Sequence, residues 1–314
     1  HPKLKEMVFR IIYLMKTGVF FDQVVVDTLK DELRDLERVL EGKTRVFCVG
    51  DLIMCIVTKM FMGDYIYTMK QRRGGSSPAV GNNPHDSDWS NLASRIFRFG
   101  RKRVIGGDLP SMDVSTQRHM AVKASQYCEA RFGVVGADLN VLRGIFYNIV
   151  STIHIKDGWA YLHMKGNSSG NWLTTWFNCF CCWVYISTSY VFQQDRYDRI
   201  RYAVQQKQNQ TSDSFEVWHA EHGTNIPFTD GVSLAVYGDD NLGSVNSDVR
   251  FFDNLFLAQA LRTLFRLDLT DPNKGAIVAP WLEEHEQVFL ARKFVSQGDG
   301  SYLAPLDRES LFGM

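Results

Sequence analysis

The chain has 314 residues, 45% hydrophobic and 22% charged, with 35 basic residues against 35 acidic ones. That length and apolar content allow a true core and about two domains. A net charge of zero excludes a globally basic nucleic-acid binder, so any such contact must come from local clusters: Lys30 to Arg45, Lys70 to Arg73 and Arg95 to Arg103.

In chain order, residues 3–16 show helical spacing with Gly18 as a stop. VVVDTLKDELR runs from a β-branched strand into a charged segment, Gly42-Lys43-Thr44-Arg45 turns, and VFCV is a second short strand. Residues 51–69 form a Met-rich periodic helix, and 74–88 a Gly, Ser, Pro and Asn loop. Residues 104–109 are a short strand reaching Asp108; 115–131 and 137–153 are helices, and 161–164 is a strand candidate. GNSSGN at 166–171 is a loop leading into a long helix, whose apolar part at 177–192 is too short to cross a bilayer and reads as buried. Residues 193–216, polar and Gln-rich, are expected to form an exposed insertion or a mobile hairpin. Residues 232–237 and 242–245 flank a tight turn as a hairpin, 250–265 is a helix, and 287–295 is a strand pair or a strand with its turn.

This mixed order favours α+β with a small antiparallel sheet and packed helices over a doubly wound parallel sheet. No GxGxxG or GxxxxGK[ST] occurs, which removes the main support for Rossmann and P-loop readings. Cys179, Cys181 and Cys182 have no histidine at zinc-ligand spacing, so the cysteines read as buried thiols in a reducing compartment. No signal peptide opens the chain, and its His-Pro start is expected of a piece of something longer.

The chemistry concentrates in two acidic stretches. VYGDDN places Asp239 and Asp240 side by side after an apolar run. Like charges there repel, and burial raises their pKa values, although Gly, Asp and Asn also suit a solvated turn. In VIGGDLPSMDVST, Asp108 ends a strand and Asp113 follows five residues on. If that strand lies beside the hairpin, Asp108 meets Asp239 and Asp240, and three carboxylates together need divalent cations or a retained proton. Oxygen-only ligands suit Mg²⁺, and two such ions give the two-metal arrangement for nucleotidyl transfer.

These residues belong to an ordered series. Asp108-x4-Asp113, Ser169-Gly170-x3-Thr174-x3-Asn178, Tyr237-Gly238-Asp239-Asp240, Asp271-Pro272-Asn273-Lys274 and Phe289-Leu290-Ala291-Arg292-Lys293-Phe294 follow one another, preceded by Lys30-Asp31-Glu32-Leu33-Arg34 with Gly42-Lys43-Thr44-Arg45. In this the chain resembles the RNA-dependent RNA polymerases of positive-strand RNA viruses in the picornavirus-like order. The resemblance implies a right-hand palm with part of the fingers. Residues 1–48 would be partial fingers with the basic motif, and 49–113 palm with the first acidic motif. Residues 114–165 would be a palm helix and fingers insertion, and 166–314 palm with the later motifs, the thumb lying beyond.

The resemblance also implies roles. Asp108 and Asp239 would ligate two Mg²⁺ ions, with Mn²⁺ as a substitute, supported by Asp240 and the Leu109 carbonyl. Arg34, Lys43 and Arg45, with Lys30 and Arg38 as weaker candidates, would bind the triphosphate, a task suited to the bidentate guanidinium fork. Asp113 and Asn178, with Ser169 and Thr174, would read the ribose 2′-hydroxyl, and Gly170 would permit a tight loop or close approach to the template. Lys274 would protonate the leaving pyrophosphate. Implied partners are RNA template and primer, nucleoside triphosphates, a protein primer, other viral replication proteins and the remaining thumb and fingers. The implied location is the host cytoplasm, at membrane-associated replication complexes. Met112, Pro110, Asn167-Ser168 and the long segment between Asn178 and Tyr237 depart from the commonest pattern and blur the viral branch. A reverse transcriptase or other palm-type polymerase, and a non-catalytic RNA-binding palm module, stay open as alternatives.

Overall fold

The computed structural model describes residues 1–31, 36–42, 44–72, 75–110, 112–271 and 275–307, with the side chains of Arg38 and Asp113 left out of the description. The chain divides into two compact units: His1–Gln71 with Ser111–Cys181, and Arg72–Pro110 with Cys182–Arg308.

The first unit is built on a four-stranded sheet in the order Val46–Val49, Gln23–Leu29, Thr152–Lys156, Trp159–His163. Gln23–Leu29 runs antiparallel to Val46–Val49 but parallel to Thr152–Lys156. The strand Thr152–Lys156 corrects the helix expected over 137–153: that helix is Ala137–Val150 and ends before the β-branched pair Thr152-Ile153. Helix Pro2–Lys16 has its proline in the first turn, where the missing N–H costs nothing, and buries Val8, Ile12 and Met15. Their spacing of four and three residues puts them on one face. Helix Leu52–Gln71 packs in this unit against Pro2–Lys16 and Ala137–Val150 and buries Val57 and Met62 fully. Among the described residues it is the one helix long and apolar enough to cross a membrane, a segment that the reading of 177–192 passed over.

The second unit carries a three-stranded antiparallel sheet in the order Val104–Gly107, Asp240–Val245, Val232–Tyr237. Helix Ser87–Ile96, absent from the sequence reading, packs on it. Asp86 caps this helix by accepting the Asp88 N–H, and the helix buries Trp89, Leu92, Ala93 and Ile96. Trp89 stacks on Phe294 with ring centroids 4.5 Å apart, closing a core that includes Ala235, Leu242 and Phe289. Helix Asn254–Phe265 starts at the Asp253 cap and ends at Arg266 in the left-handed region.

Residues 193–216 do not form an insertion hairpin. Helix Thr174–Lys207 continues through 193–207, a short non-helical link covers 208–214, and helix Phe215–His222 follows. The polar composition hides two buried anchors, Gln193 and Asp198. The Asp198 carboxylate accepts the Thr224 N–H and hydroxyl, each at 2.8 Å, and an Arg201 N–H at 3.2 Å. A buried charge paired in this way holds the helix against the 222–226 loop instead of leaving it in solvent.

Candidate active site

The acidic residues of the second unit meet because strand register delivers them to one place. Tyr237 pairs with Asp240 across a two-residue turn, with Gly238 at φ +67°. Gly at the first central position of such a turn suits the twist of the flanking strands. On the other side Gly107 pairs with Asn241, so Asp108 leaves its strand beside the turn. The Asp108 backbone is fixed by a reciprocal pair with Thr270: its N–H donates to the Thr270 carbonyl at 3.0 Å, and it accepts the Thr270 N–H at 3.1 Å. Leu109 anchors this end through a fully buried side chain. The sequence reading missed Asn241. Its side-chain NH₂ donates to the Gly107 carbonyl at 2.8 Å and the Asp239 carbonyl at 3.2 Å, tying the acidic turn to the strand that presents Asp108.

Asp239 is exposed, while Asp108 and Asp240 are half-buried. Burial pushes Asp240 up to about 7, with the charges of Asp239 and Asp108 adding to the rise. Backbone N–H groups of Leu290 and Asn241 partly offset it. This is the electrostatic signature of a carboxylate group short of positive charge. Its donors are all oxygen, which fits hard divalent cations such as Mg²⁺ or Mn²⁺. Asp240 also accepts the Leu290 N–H at 2.6 Å. Leu290 and Ala291, at φ +54° and +57°, form the turn joining strands Val288–Phe289 and Arg292–Lys293, so the hairpin expected over 287–295 is present and tied to the acidic turn.

In the first unit, the Asn178 side chain is paired with a residue other than Ser169 or Thr174. Its side-chain oxygen accepts from Asn167 at 2.9 Å, which makes Asn167 a second residue that sequence reading missed. Thr174 donates its hydroxyl to the Asn171 carbonyl at 2.8 Å, and Ser169 donates to the Val46 carbonyl at 3.3 Å. Gly170 sits at φ +108°, and a Cβ there would overlap the Cys48 carbonyl oxygen. The close approach that needs this glycine is therefore to the chain's own strand Val46–Val49. Asp113 falls in the short helix Met112–Ser115.

The basic residues divide. The Lys30 N–H donates to the Arg45 carbonyl at 2.9 Å, just past the Leu29–Val46 pair, so both ends of the basic motif lie at one end of a strand ladder. Arg45 is exposed and Lys30 half-buried. Arg34, Lys43 and Lys274, like the side chains of Arg38 and Asp113, lie outside the described residues. Much of the cluster from Arg95 to Arg103 holds the second unit together. Arg95 donates to the Leu234 carbonyl, with burial lowering it to about 10; Arg101 donates to Gln287 and Phe294, and Arg103 to Val249.

The family described as Viral RNA-dependent RNA polymerase matches residues 3–314. The chain belongs to that family. The replicase polyprotein of Drosophila C virus (strain EB) is 26% identical over 321 residues, covering 99% of this chain and 17% of the polyprotein. That of Cricket paralysis virus is 26% identical over 333 residues, with the same coverage. A solved structure, Sicinivirus 3Dpol RNA dependent RNA polymerase, superposes with a TM-score of 0.72 at 16% identity, over 95% of this chain and 56% of that one. The fold is thus the α+β one of a right-hand polymerase fragment, with antiparallel sheets and packed helices as the sequence predicts and one parallel strand pair in addition. The chain spans about a sixth of its curated relatives, 17% of their length.

Proposed function

We propose that this chain is the palm and partial fingers of an RNA-directed RNA polymerase that joins nucleoside triphosphates to an RNA 3′-hydroxyl, releasing pyrophosphate. The observation that carries the reading is the register that brings Asp108 beside Asp239 and Asp240. Asp108 and Asp239 are the metal ligands, with Asp240 and the Leu109 carbonyl in support. When bound, two Mg²⁺ ions would activate the 3′-hydroxyl and neutralise the triphosphate and leaving group. Arg45 and Lys30, together with Arg34, Lys43 and Arg38, hold triphosphate oxygens. Asp113 and Asn178 recognise the 2′-hydroxyl, with Asn178 oriented by Asn167. Lys274 gives its proton to pyrophosphate. The template, primer, protein primer, other replication proteins and a cytoplasmic membrane-associated location belong to the same proposal, as do the finger and palm boundaries at 48, 113 and 165. The rest of the polymerase hand is assigned to the parts of the relatives that this chain does not span.

The test is Asp239→Asn in the full-length polymerase. Because Asp239 is an exposed turn residue, little packing is lost, and Mg²⁺-dependent extension should fall at least about a hundredfold while the melting temperature holds. Extension at the wild-type rate would overturn the assignment. Ribonucleotide preference separates this reading from a reverse transcriptase.

A further inference from the structure

A second cluster of ligand-type atoms lies in the first unit, among residues to which the proposed chemistry gives no role. Asp27 and Cys48 are register partners on antiparallel strands, and His154 lies on the neighbouring parallel strand opposite Val25. Cys48 and His154 are buried, and one ligand atom from each of the three residues lies within 4.8 Å of the others. The His154 Nδ1 is 2.7 Å from Asp27 Oδ1 and 4.0 Å from Cys48 Sγ. The outer atoms are also held. Tyr161 donates its hydroxyl to Asp27 Oδ2 at 2.6 Å, and His154 Nε2 lies 2.8 Å from the Thr152 hydroxyl and 3.1 Å from that of Ser168.

We propose that Asp27, Cys48 and His154 form a metal site for Zn²⁺, with water as the fourth ligand. A thiolate, an imidazole and a carboxylate are a mixed donor set that selects a borderline cation such as Zn²⁺ over Mg²⁺. An ion about 2.0–2.3 Å from each donor needs only small side-chain movements from the observed spacing. Without metal, the carboxylate is satisfied by hydrogen bonds from His154, Tyr161 and Cys48. Binding replaces the two inner bonds by metal bonds. The Cys48 thiol loses its proton to solvent, and the His154 proton moves from Nδ1 to Nε2. There it meets two hydroxyl oxygens able to accept it, so neither tautomer strands a buried group. Ligand histidines commonly keep such a partner on the far nitrogen. The ion would pin three strands that flank Lys30 and Arg45, and through Ser168 the loop that bears Ser169 and Gly170.

The proposal does not depend on catalysis and is tested without RNA. The purified whole chain, expressed with zinc and dialysed against metal-free buffer, should retain about one zinc per chain by mass spectrometry. Substitution with Co²⁺ should give a thiolate-to-cobalt charge-transfer band. Cys48→Ser, which keeps the size of the side chain, should abolish that band with an unchanged far-ultraviolet spectrum, whereas Cys55→Ser and Asp239→Asn should keep it. Absence of both zinc and the band in the unsubstituted chain would overturn the site, as would a band that survives Cys48→Ser.

Discussion

Gly170→Ala isolates what the loop before the long helix demands of its backbone. Gly170 stands at φ +108°, a conformation that costs a residue with a side chain about 1–3 kcal/mol. The added methyl would also overlap the Cys48 carbonyl oxygen. That oxygen belongs to a strand paired along Gln23–Leu29, so it cannot withdraw alone. The loop must lift instead, and lifting breaks the 2.8 Å hydrogen bond from the Cys48 N–H to the Ser169 carbonyl, worth about 1 kcal/mol. The sum is a loss of about 2–4 kcal/mol. Equilibrium urea unfolding, followed by tryptophan fluorescence, should show a lower midpoint with an unchanged slope. A loss below about 0.5 kcal/mol, the range of neutral surface substitutions, would mean that the loop yields freely and that Gly170 is there for another reason.

Other changes separate structural from chemical roles. Asp198→Ala leaves the Thr224 N–H without its acceptor and should cost about 2–3 kcal/mol of stability, read from the same urea curves; a neutral result would return this stretch to a surface insertion. Asn178→Ala in the full-length polymerase should reduce the preference for ribo- over deoxyribonucleotides by about 1–3 kcal/mol in matched kcat/KM values, and an unchanged ratio would assign Asn178 to its bond with Asn167 alone. Lys274→Arg should slow single-nucleotide addition and flatten its pH profile, since arginine, with a pKa above about 12, is a poor proton donor. A wild-type profile would exclude Lys274 as the acid.

What could be read from the sequence was local. Asp108 and the Gly238-Asp239-Asp240 turn were legible because strand ends and turn residues carry their own signals over a few positions. Their meeting depended on register, and so did the contributions of Asn241 and Leu290, which no short window contains. Asp27, Cys48 and His154 escaped for the same reason: 106 residues separate the cysteine from the histidine. A zinc search confined to close spacing weighed only Cys179, Cys181 and Cys182 and read them as buried thiols, as the structure has them. The helix through 193–207 was misread for a different reason. Its few buried positions, Gln193 and Asp198, are polar, so the apolar periodicity that marks a helix is missing where the packing is strong.

The Leu290–Ala291 corner has a consequence for mutational drift. Two successive side chains in the left-handed region form a narrow gate for substitution, since glycine, asparagine and aspartate enter that region readily and β-branched residues scarcely do. At Leu290 the common conservative exchanges, to isoleucine or valine, are therefore the poorly tolerated ones. An apparently radical exchange to asparagine keeps both the turn and the N–H that Asp240 accepts. A saturation library should thus rank survivors by backbone preference at the exposed Ala291, while at Leu290 that preference competes with packing of the side chain against the core.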